Sequence, residues 1–406
     1  MSCHPRVLEW TTTLQTHLPH LSKPQLKVLA LWSLGMVLAR SCALTAVSAC
    51  LAPWLGYHDN TLRQRLREFC YEACAKRGKD RQAVVVESCF APLLAWVLRL
   101  WEGTQLALAL DATPLGDRFT VLVISVVYRG CAIPIAWTVL TANVEKAWRP
   151  EWLRMLRQVS RAVPPTWTVI VLADRGLYAR WLFRRMTRLG WHPFLRINTG
   201  GTFRPTGEQH GVPLKTLVPQ PGCQWSGTGV AFKGRQRRLR CTLLARWEPG
   251  YQDPWLIVTD LPPAVGEVGW YGLRAWIEQG FKQTKRGGWQ WQQTRMTDPA
   301  RAARLWLVIA VATVWLVSVG GEADETLPAT PLPDLATVLP PPSRSHQASH
   351  LRLVSVFRRG WNLILAALLN QTPLPRGRLI PEPWPTRHSP HQQATTPAIV
   401  SLLQAA

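Results

Sequence analysis

One stretch of the sequence carries four side chains that could bind a metal or a phosphate, at helical spacing: Tyr271, Arg274, Glu278 and Lys285. At ~100° per residue, a helix would project all four within an arc of roughly 60°. This arrangement presents a carboxylate among cations on a rigid element. A charged stripe of this kind is also typical of a solvated helix face with ordinary ion pairs. The choice between the two interpretations depends on what the rest of the chain supplies.

Two aspartates upstream favour the chemical interpretation. Asp111 follows the apolar run Leu106–Leu110, and Asp174 follows the apolar run Trp167–Ala173. A lone aspartate at a strand end is usually a turn or capping residue. Together with Glu278, however, the pair would bring three carboxylates to one sheet edge, where hard oxygen ligands select Mg²⁺ or Mn²⁺. Two such ions can activate a water or a 3′-hydroxyl and stabilise the leaving oxygen of a phosphodiester.

The charge balance predicts a polyanionic partner. The 406 residues include 47 Lys and Arg against 24 Asp and Glu, which gives a formal net charge of +23. A membrane-surface protein would concentrate its basic residues on one amphipathic helix, whereas here they are dispersed, which favours nucleic acid. The most apolar run, Leu305–Val319, is shorter than the ~20 residues of a bilayer span. We therefore expect a buried core helix there and no membrane partner.

The nine cysteines predict a reducing compartment. No Cys-x-x-Cys pair occurs, and an odd number of cysteines argues against a disulfide framework. Cys70 and Cys74 lack the further ligands that a structural zinc site needs, so we expect no zinc. The N-terminus shows no charged segment followed by an apolar one, and no signal peptide is expected.

From residue 105 the sequence predicts alternating strands and helices. Three antiparallel strands come first, with a hairpin turn at Arg129-Gly130, and then a helix, a strand, a helix and a strand. The predicted elements are Leu106–Leu110, Phe119–Tyr128, Ala132–Leu140, Glu151–Ala162, Trp167–Ala173, Ala179–Leu189 and Pro193–Ile197. This order is that of a ribonuclease-H-like α/β fold.

Residues 1–100 read as a helical, DNA-binding domain. Helices are expected from Ser22 or Pro24 to Ala39, over Leu44–Leu55, and over Leu62–Lys76 with Asn60 or Thr61 as its cap. The third would present its arginines as a helix-turn-helix reader does. A basic solvated face on a structural bundle explains the same pattern equally well.

Three further segments complete the predicted organisation. Residues 198–259 form a β-rich insertion in which basic and aromatic residues suit a phosphate-tracking, base-stacking surface. Residues 323–345 form a Pro-rich linker, residues 346–370 a C-terminal helix, and residues 371–406 a poorly ordered tail. The insertion's candidate DNA-binding and stacking residues are Arg235, Arg237, Arg238, Trp225, Trp247 and Trp255.

The sequence resembles bacterial insertion-sequence DDE transposases with a Tyr-Arg-Glu-Lys signature. The match Tyr271-x2-Arg274-x3-Glu278-x6-Lys285 has no gap, and Leu110-Asp111-Ala-Thr and Leu172-Ala-Asp174-Arg-Gly-Leu-Tyr resemble the two aspartate motifs. The resemblance implies a ribonuclease-H-like catalytic domain over about 101–322. It also implies two Mg²⁺ or Mn²⁺ ions held by the three carboxylates. Tyr271, Arg274 and Lys285 would contact transposon-end phosphates, and Lys282, on the same predicted face, could add a contact.

The resemblance also implies an activity and its partners. These are excision and insertion of a DNA element through nicking, hairpin formation and strand transfer, by a dimer on double-stranded transposon ends and target, in the bacterial cytoplasm at the nucleoid. Relatives carry a Trp directly after the signature Arg, whereas Ala275 stands here, so a flipped base would stack on one of the insertion's tryptophans or on Trp276. Two alternatives stay open: a structure-specific endonuclease on the same fold, and a non-catalytic DNA-binding regulator.

Overall fold

The computed structural model describes residues 4–76, 81–142, 148–234, 236–327 and 354–385. Five strands form the first half of one mixed sheet: β1 (Gln105–Leu115), β2 (Phe119–Tyr128), β3 (Cys131–Thr141), β4 (Thr168–Ala173) and β5 (His192–Arg196). Their order is β3-β2-β1-β4-β5, with β1, β4 and β5 parallel and β1, β2 and β3 antiparallel. All five strands lie where the sequence predicts them, although β1 runs five residues further than expected.

The hairpin between β2 and β3 forms at the predicted dipeptide. Arg129 and Gly130 both have positive φ, 43° and 77°, as a two-residue turn that matches strand twist requires. The Arg129 side chain is buried and donates to the backbone oxygens of Asp324 and Ile380. The Arg129 side chain therefore also holds the segments around Asp324 and Ile380 against this hairpin.

The predicted insertion does not form a sheet of its own. Its strands are β6 (Thr202–Pro205), β7 (Val212–Pro213), β8 (Gln224–Ala231), β9 (Leu239–Arg246) and β10 (Trp255–Thr259). Strand β10 pairs antiparallel with β5, and the sheet continues in the order β5-β10-β9-β8-β6-β7. Strand periodicity in the sequence does not specify a strand's partner, so the continuation was not predictable.

Eleven α-helices surround this sheet in the described residues. They are α1 (Pro5–His17), α2 (Lys23–Ala39), α3 (Leu44–Leu55), α4 (Asp59–Phe69), α5 (Phe90–Leu100), α6 (Arg149–Val159), α7 (Arg180–Arg188), α8 (Leu214–Leu217), α9 (Ala275–Thr284), α10 (Pro299–Glu322) and α11 (Val356–Leu369). The predicted helix Leu62–Lys76 is wrong at both ends. It begins after His58 and ends at Phe69, because buried Cys70 turns the chain toward a short 3-10 turn at Ala73–Ala75.

Helix α10 is the centre of the hydrophobic core. Helices α2 and α11 and strand β3 pack around it, and the helices of residues 1–100 share one core with the sheet. By length and composition α10 could cross a membrane, as could α2 and α3 taken as one bent span, among the described residues. Of the apolar window in α10, 94% is buried inside the protein, and a fully buried core helix is apolar on all sides in the same way.

Helices α10 and α11 cross with their backbones in contact. A Cβ on Gly360 would lie 1.8 Å from the backbone oxygen of Leu316, and one on Gly320 would lie 2.0 Å from that of Val356. Of the predicted C-terminal helix, residues 346–353 lie outside the described residues, as do 328–345 of the predicted linker. The described remainder of the predicted C-terminal helix is α11, which begins at Val356 with Ser355 as its N-cap.

The chain after α11 is packed, which contradicts the predicted tail as far as residue 385. Leu379 is buried and exchanges backbone hydrogen bonds with Leu100 and Glu102. The indole of Trp384 packs 4.9 Å from that of Trp270. These anchors are too few and too widely spaced to give a periodic pattern in the sequence. Residues 386–406 lie outside the described part.

A buried arginine joins α10 to the N-terminal helices. Arg304 donates to the backbone oxygens of Val84 (3.0 Å) and Cys70 (2.8 Å), and to the carboxylate of Glu72. We expect Arg304→Met to lower the free energy of unfolding by ~3 kcal/mol, because buried carbonyl acceptors lose their donors. Urea unfolding measures this change.

The matched control for Arg304 is Arg295→Met. Arg295 is exposed, so its replacement should change the free energy of unfolding by no more than ~0.5 kcal/mol. Equal effects of the two substitutions would show that the buried hydrogen bonds of Arg304 do not hold the helices together.

Candidate active site

The parallel pairing of β1 and β4 places two aspartates side by side. Leu110 is in register with Ala173, so Asp111 and Asp174, the next residue of each chain segment, meet at the same edge. Asp111 still belongs to β1, opposite Val123 of β2, whereas Asp174 begins the turn after β4. The sequence prediction that these carboxylates share a sheet edge agrees with this register.

Each aspartate uses one oxygen locally and directs the other to a common point. Asp174 Oδ1 accepts hydrogen bonds from the backbone N–H groups of Gly176 (2.9 Å) and Leu177 (3.2 Å). Asp111 Oδ1 accepts one from the backbone N–H of Ala112 at 2.8 Å. These bonds fix the carboxylate planes, so both Oδ2 atoms face the same cation.

The four signature residues do not lie on one helix face. Tyr271 and Arg274 belong to a 3-10 helix, Val268–Arg274, and Glu278 belongs to α9. Lys285 follows the end of α9, with φ −93° and ψ −129°. A 3-10 turn has 3.0 residues rather than 3.6, and the helix ends before Lys285, so the predicted shared arc is wrong. The side chains nevertheless reach the aspartate edge from three different local structures.

The guanidinium of Arg274 joins the three carboxylates. Its Nη2 atom lies 2.7 Å from Asp111 Oδ2 and 3.6 Å from Asp174 Oδ2, and its Nη1 atom lies 3.1 Å from Glu278 Oε1. The exposed fractions of the side chains are 14% for Arg274, 16% for Asp111, 39% for Asp174 and 56% for Glu278. The cluster is therefore a pocket closed at Asp111 and open to solvent at Glu278.

Burial and mutual repulsion control the charges of this cluster. Burial raises the pKa of Asp111, and Asp174 and Glu278 raise it further, although Arg274 and the Ala112 N–H oppose them. Burial disfavours the charge on Arg274, but Tyr271 and the three carboxylates outweigh it, so the pKa of the guanidinium is raised. One arginine thus only partly compensates the carboxylates around it.

Tyr271 lies beneath the cluster. Its side chain packs edge-on against Trp255, with ring centroids 5.3 Å apart, and the residue is 4% exposed. Burial raises the pKa of Tyr271 to about 12, while Arg274 and Arg196 act in the opposite direction. This position supports Arg274 from below and leaves little of Tyr271 for contact with a ligand.

Lys285 ties α9 to the end of β1. Its Nζ atom donates to Thr113 Oγ1 and to the backbone oxygen of Pro114, both at 2.9 Å. Burial lowers the pKa of this lysine. Lys282, in contrast, is exposed on α9, one turn beyond Glu278, where it can meet an anion from solvent.

The basic residues of the predicted insertion occupy the loop between β8 and β9. Arg237 and Arg238 are exposed there, and Arg235 lies outside the described residues. Trp225 and Trp247 are half-buried. Trp255 is buried in the core, so it is not available for stacking on a base.

Trp276, the candidate for stacking on an extruded base, is not available at the surface. It is 5% exposed and belongs to the core beneath α9, beside Ile277 and Tyr271. The sequence places an aromatic residue near the signature Arg, but the helix phase turns it inward. In this conformation Trp276 is therefore not exposed for stacking on a base.

Arg196 is a residue of the cluster that sequence reasoning missed. It stands on β5 and interacts electrostatically with Tyr271 and Arg274, and burial lowers its pKa. The available signal was the position of Arg196 at the end of a predicted strand, which the parallel register of β4 and β5 places next to Asp174. Arg175, the residue after Asp174, forms an ion pair with Asp253 at 3.0 Å.

The three carboxylates are chemically suited to bind a divalent metal ion, but the guanidinium of Arg274 occupies the point at which their oxygens meet. Two aspartate oxygens and one glutamate oxygen are the hard ligands that Mg²⁺ and Mn²⁺ take. In the described part of the chain, no three His, Cys, Asp or Glu side chains approach closely enough to hold an ion as they stand. The three carboxylates are instead arranged around the guanidinium of Arg274.

A family comparison covers most of the sheet. Residues 118–315 match a family model described as the transposase DDE domain. This segment of the chain is similar to that domain. Within the matched residues lie β2 to β10, Asp174, Glu278 and the first part of α10; Asp111 precedes them on the adjacent strand.

Other comparisons are more distant. No curated protein matches the chain. A cryo-EM structure of the piggyBac transposase synaptic complex with hairpin DNA is similar at 10% identity and a TM-score of 0.34, over 76% of this chain and 73% of that one. A likeness with so low an identity and TM-score carries no argument about this chain.

Proposed function

We propose that the protein is a DNA transposase that excises and inserts an insertion-sequence element by phosphodiester hydrolysis and strand transfer. One observation carries the proposal: Asp111, Asp174 and Glu278 converge on a single guanidinium, in a chain whose residues 118–315 are similar to the transposase DDE domain. Structural ion pairs seldom gather three carboxylates around one cation at an accessible pocket, because the leftover negative charge is unfavourable.

A ribonuclease-H-like catalytic core is part of the proposal. The strand order β3-β2-β1-β4-β5, with an antiparallel hairpin on one side and two parallel neighbours on the other, supports it. The remaining five strands extend the sheet from β5, and the loop between β8 and β9 carries the exposed Arg237 and Arg238. These arginines are proposed to track DNA phosphates.

Asp111, Asp174 and Glu278 are the proposed ligands of two Mg²⁺ or Mn²⁺ ions. Such ions, when bound, activate the attacking oxygen and stabilise the leaving oxygen of the scissile phosphodiester. The chain's own contribution is orientation: backbone N–H groups hold one oxygen of each aspartate, and Glu278 is exposed at the open side. Burial of Asp111 excludes water from the closed end of the pocket.

Double-stranded DNA, both transposon ends and target, is the proposed partner. The net charge of +23 supplies long-range attraction. Exposed Lys282 is placed to contact a phosphate beside Glu278, and Arg274 joins it when the guanidinium leaves the carboxylates. Tyr271 supports these contacts from a buried position and Lys285 from a half-buried one. Bacterial origin, a dimer on DNA, nucleoid localisation and the absence of a membrane partner belong to the proposal.

Cleavage of a supercoiled donor plasmid tests the function. With Mg²⁺ and the sequences that flank the coding region, wild type should excise at those ends, and Glu278→Gln should lose at least ~10²-fold in rate. DNA affinity should persist or rise slightly in Glu278→Gln, because one negative charge is removed. Glu208→Gln, at an exposed site far along the sheet, is the charge-matched control and should cleave normally.

The outcomes separate the alternatives. Equal cleavage by wild type and Glu278→Gln would overturn the assignment of this carboxylate. DNA binding without cleavage by wild type would make the regulator the better reading. Nicking of branched DNA without strand transfer would favour an endonuclease.

A further inference from the structure

The cation position of the carboxylate cluster is filled by the protein itself. Arg274 Nη2 contacts the free oxygen of Asp111 and approaches that of Asp174, while Nη1 contacts Glu278. A divalent ion binds carboxylate oxygens at ~2.1 Å. An ion that bridges the two aspartate oxygens would have to enter the space next to Nη2, against the repulsion of a like charge.

The guanidinium is not optimally bonded in this place. Its Nε atom is buried and has no hydrogen-bond partner among the described residues. A buried donor without an acceptor is unfavourable. The position is thus a compromise that a better acceptor can relieve.

The charge of the cluster leaves room for a stronger cation. Three ionised carboxylates carry −3 and the guanidinium supplies +1, so a dication neutralises the set more completely than Arg274 does. The guanidinium of Arg274 can also bind a phosphate, because its planar N–H donors pair bidentately with phosphate oxygens. Exposed Lys282, one turn beyond Glu278 on α9, lies on the side from which a phosphate would approach.

From these observations we infer that Arg274 plugs the metal site in the DNA-free protein, and that a DNA phosphate which draws the guanidinium away opens the site to a divalent ion. Metal and DNA then bind cooperatively, and the coupling is reciprocal: each raises the affinity of the other by the same factor. The inference rests on the proposed function. It assigns Arg274 a positioning role that guards against metal-dependent cleavage without bound DNA.

Binding of Mn²⁺, followed by electron paramagnetic resonance on the full chain, tests the inference without any cleavage assay. Without DNA, Arg274→Gln should bind Mn²⁺ at least ~10-fold more tightly than wild type, because the competing charge is gone. Arg286→Gln removes an exposed charge just after α9 and should leave the affinity within ~2-fold. Arg274→Lys, which keeps a charge but cannot bridge three carboxylates, should fall between.

Addition of a short duplex with the flanking sequence completes the test. Wild type should gain about tenfold in Mn²⁺ affinity on DNA, and Arg274→Gln should gain much less, because its site is already open. Asp111→Asn on the same duplex measures the Mn²⁺ held by DNA alone. Circular dichroism melting confirms that each variant is folded.

Two results would overturn the inference. Only the second of them would also overturn the proposed function. If Arg274→Gln binds Mn²⁺ no more tightly than wild type while Asp111→Asn abolishes binding, the carboxylates hold metal but Arg274 does not plug the site. If Asp111→Asn leaves Mn²⁺ binding unchanged with and without DNA, the metal-ligand assignment fails and the proposed function fails with it.

Discussion

Asp111→Asn should abolish strand cleavage, with a loss of at least ~10³-fold, which corresponds to ~4 kcal/mol of transition-state stabilisation. Asp111 is the most buried of the three carboxylates and contacts Arg274 most closely, at 2.7 Å. Asparagine has the same shape and keeps the acceptor for the Ala112 N–H, so the change removes mainly charge. Gel assay of supercoiled plasmid with Mg²⁺ measures the loss.

The control for Asp111 stands six residues away in the chain. Asp117→Asn removes a carboxylate that is exposed in the turn between β1 and β2, after Gly116 with φ 55°. That turn accepts Asn as readily as Asp, so cleavage should be unaffected. A folded Asp111→Asn protein that cuts as fast as Asp117→Asn would remove Asp111 from the proposed chemistry.

Gly360→Ala should unfold or severely destabilise the protein, by ~3 kcal/mol or more. Alanine in a helix interior normally favours the helix by ~0.5–1 kcal/mol over glycine. Here the new Cβ would lie 1.8 Å from the backbone oxygen of Leu316 and close to the backbone nitrogen of Gly320, and backbone atoms cannot rotate away. Helix α11 would have to leave α10, which exposes Phe357 and Trp361. Thermal unfolding measures the effect.

The same substitution at Gly200 provides the matched control. A Cβ there meets nothing within 4 Å, and Gly200 does not have positive φ. We expect a change of a few tenths of a kcal/mol, through the unfolded chain only. Similar melting temperatures for the two alanine variants would show that the helices can separate slightly at little cost.

The meeting of Asp111 and Asp174 at one sheet edge could be predicted because it depends on short local segments of the sequence. An apolar run that ends in Asp is visible residue by residue, and two parallel strands of equal phase then place Asp111 and Asp174 together. The hairpin at Arg129-Gly130 is local in the same sense, since a two-residue turn demands positive φ. Neither prediction needed knowledge of a distant partner.

The details that the sequence did not predict depend on distant contacts. The signature was expected on one α-helix, but the residues up to Arg274 wind as a 3-10 helix, packed beneath by Trp255 and Trp384. A change from 3.0 to 3.6 residues per turn leaves no mark in the spacing. Arg274 was assigned to DNA phosphates because spacing shows which side chains are neighbours and not which of them pair. Likewise, packing of residues 371–385 relies on Leu379 meeting Leu100 across the chain.

The central position of α10 has a consequence for synthesis. Helix α2 must pack against α10, yet about 260 residues separate the end of one from the start of the other. At ~5–20 residues per second, a ribosome needs roughly 15–50 s to cover that distance. During this interval the apolar side of α2 lacks its permanent cover and is a target for chaperones. A chain truncated before α10 would therefore be a degradation substrate, and a complete core forms only after α10 and α11 have been synthesised.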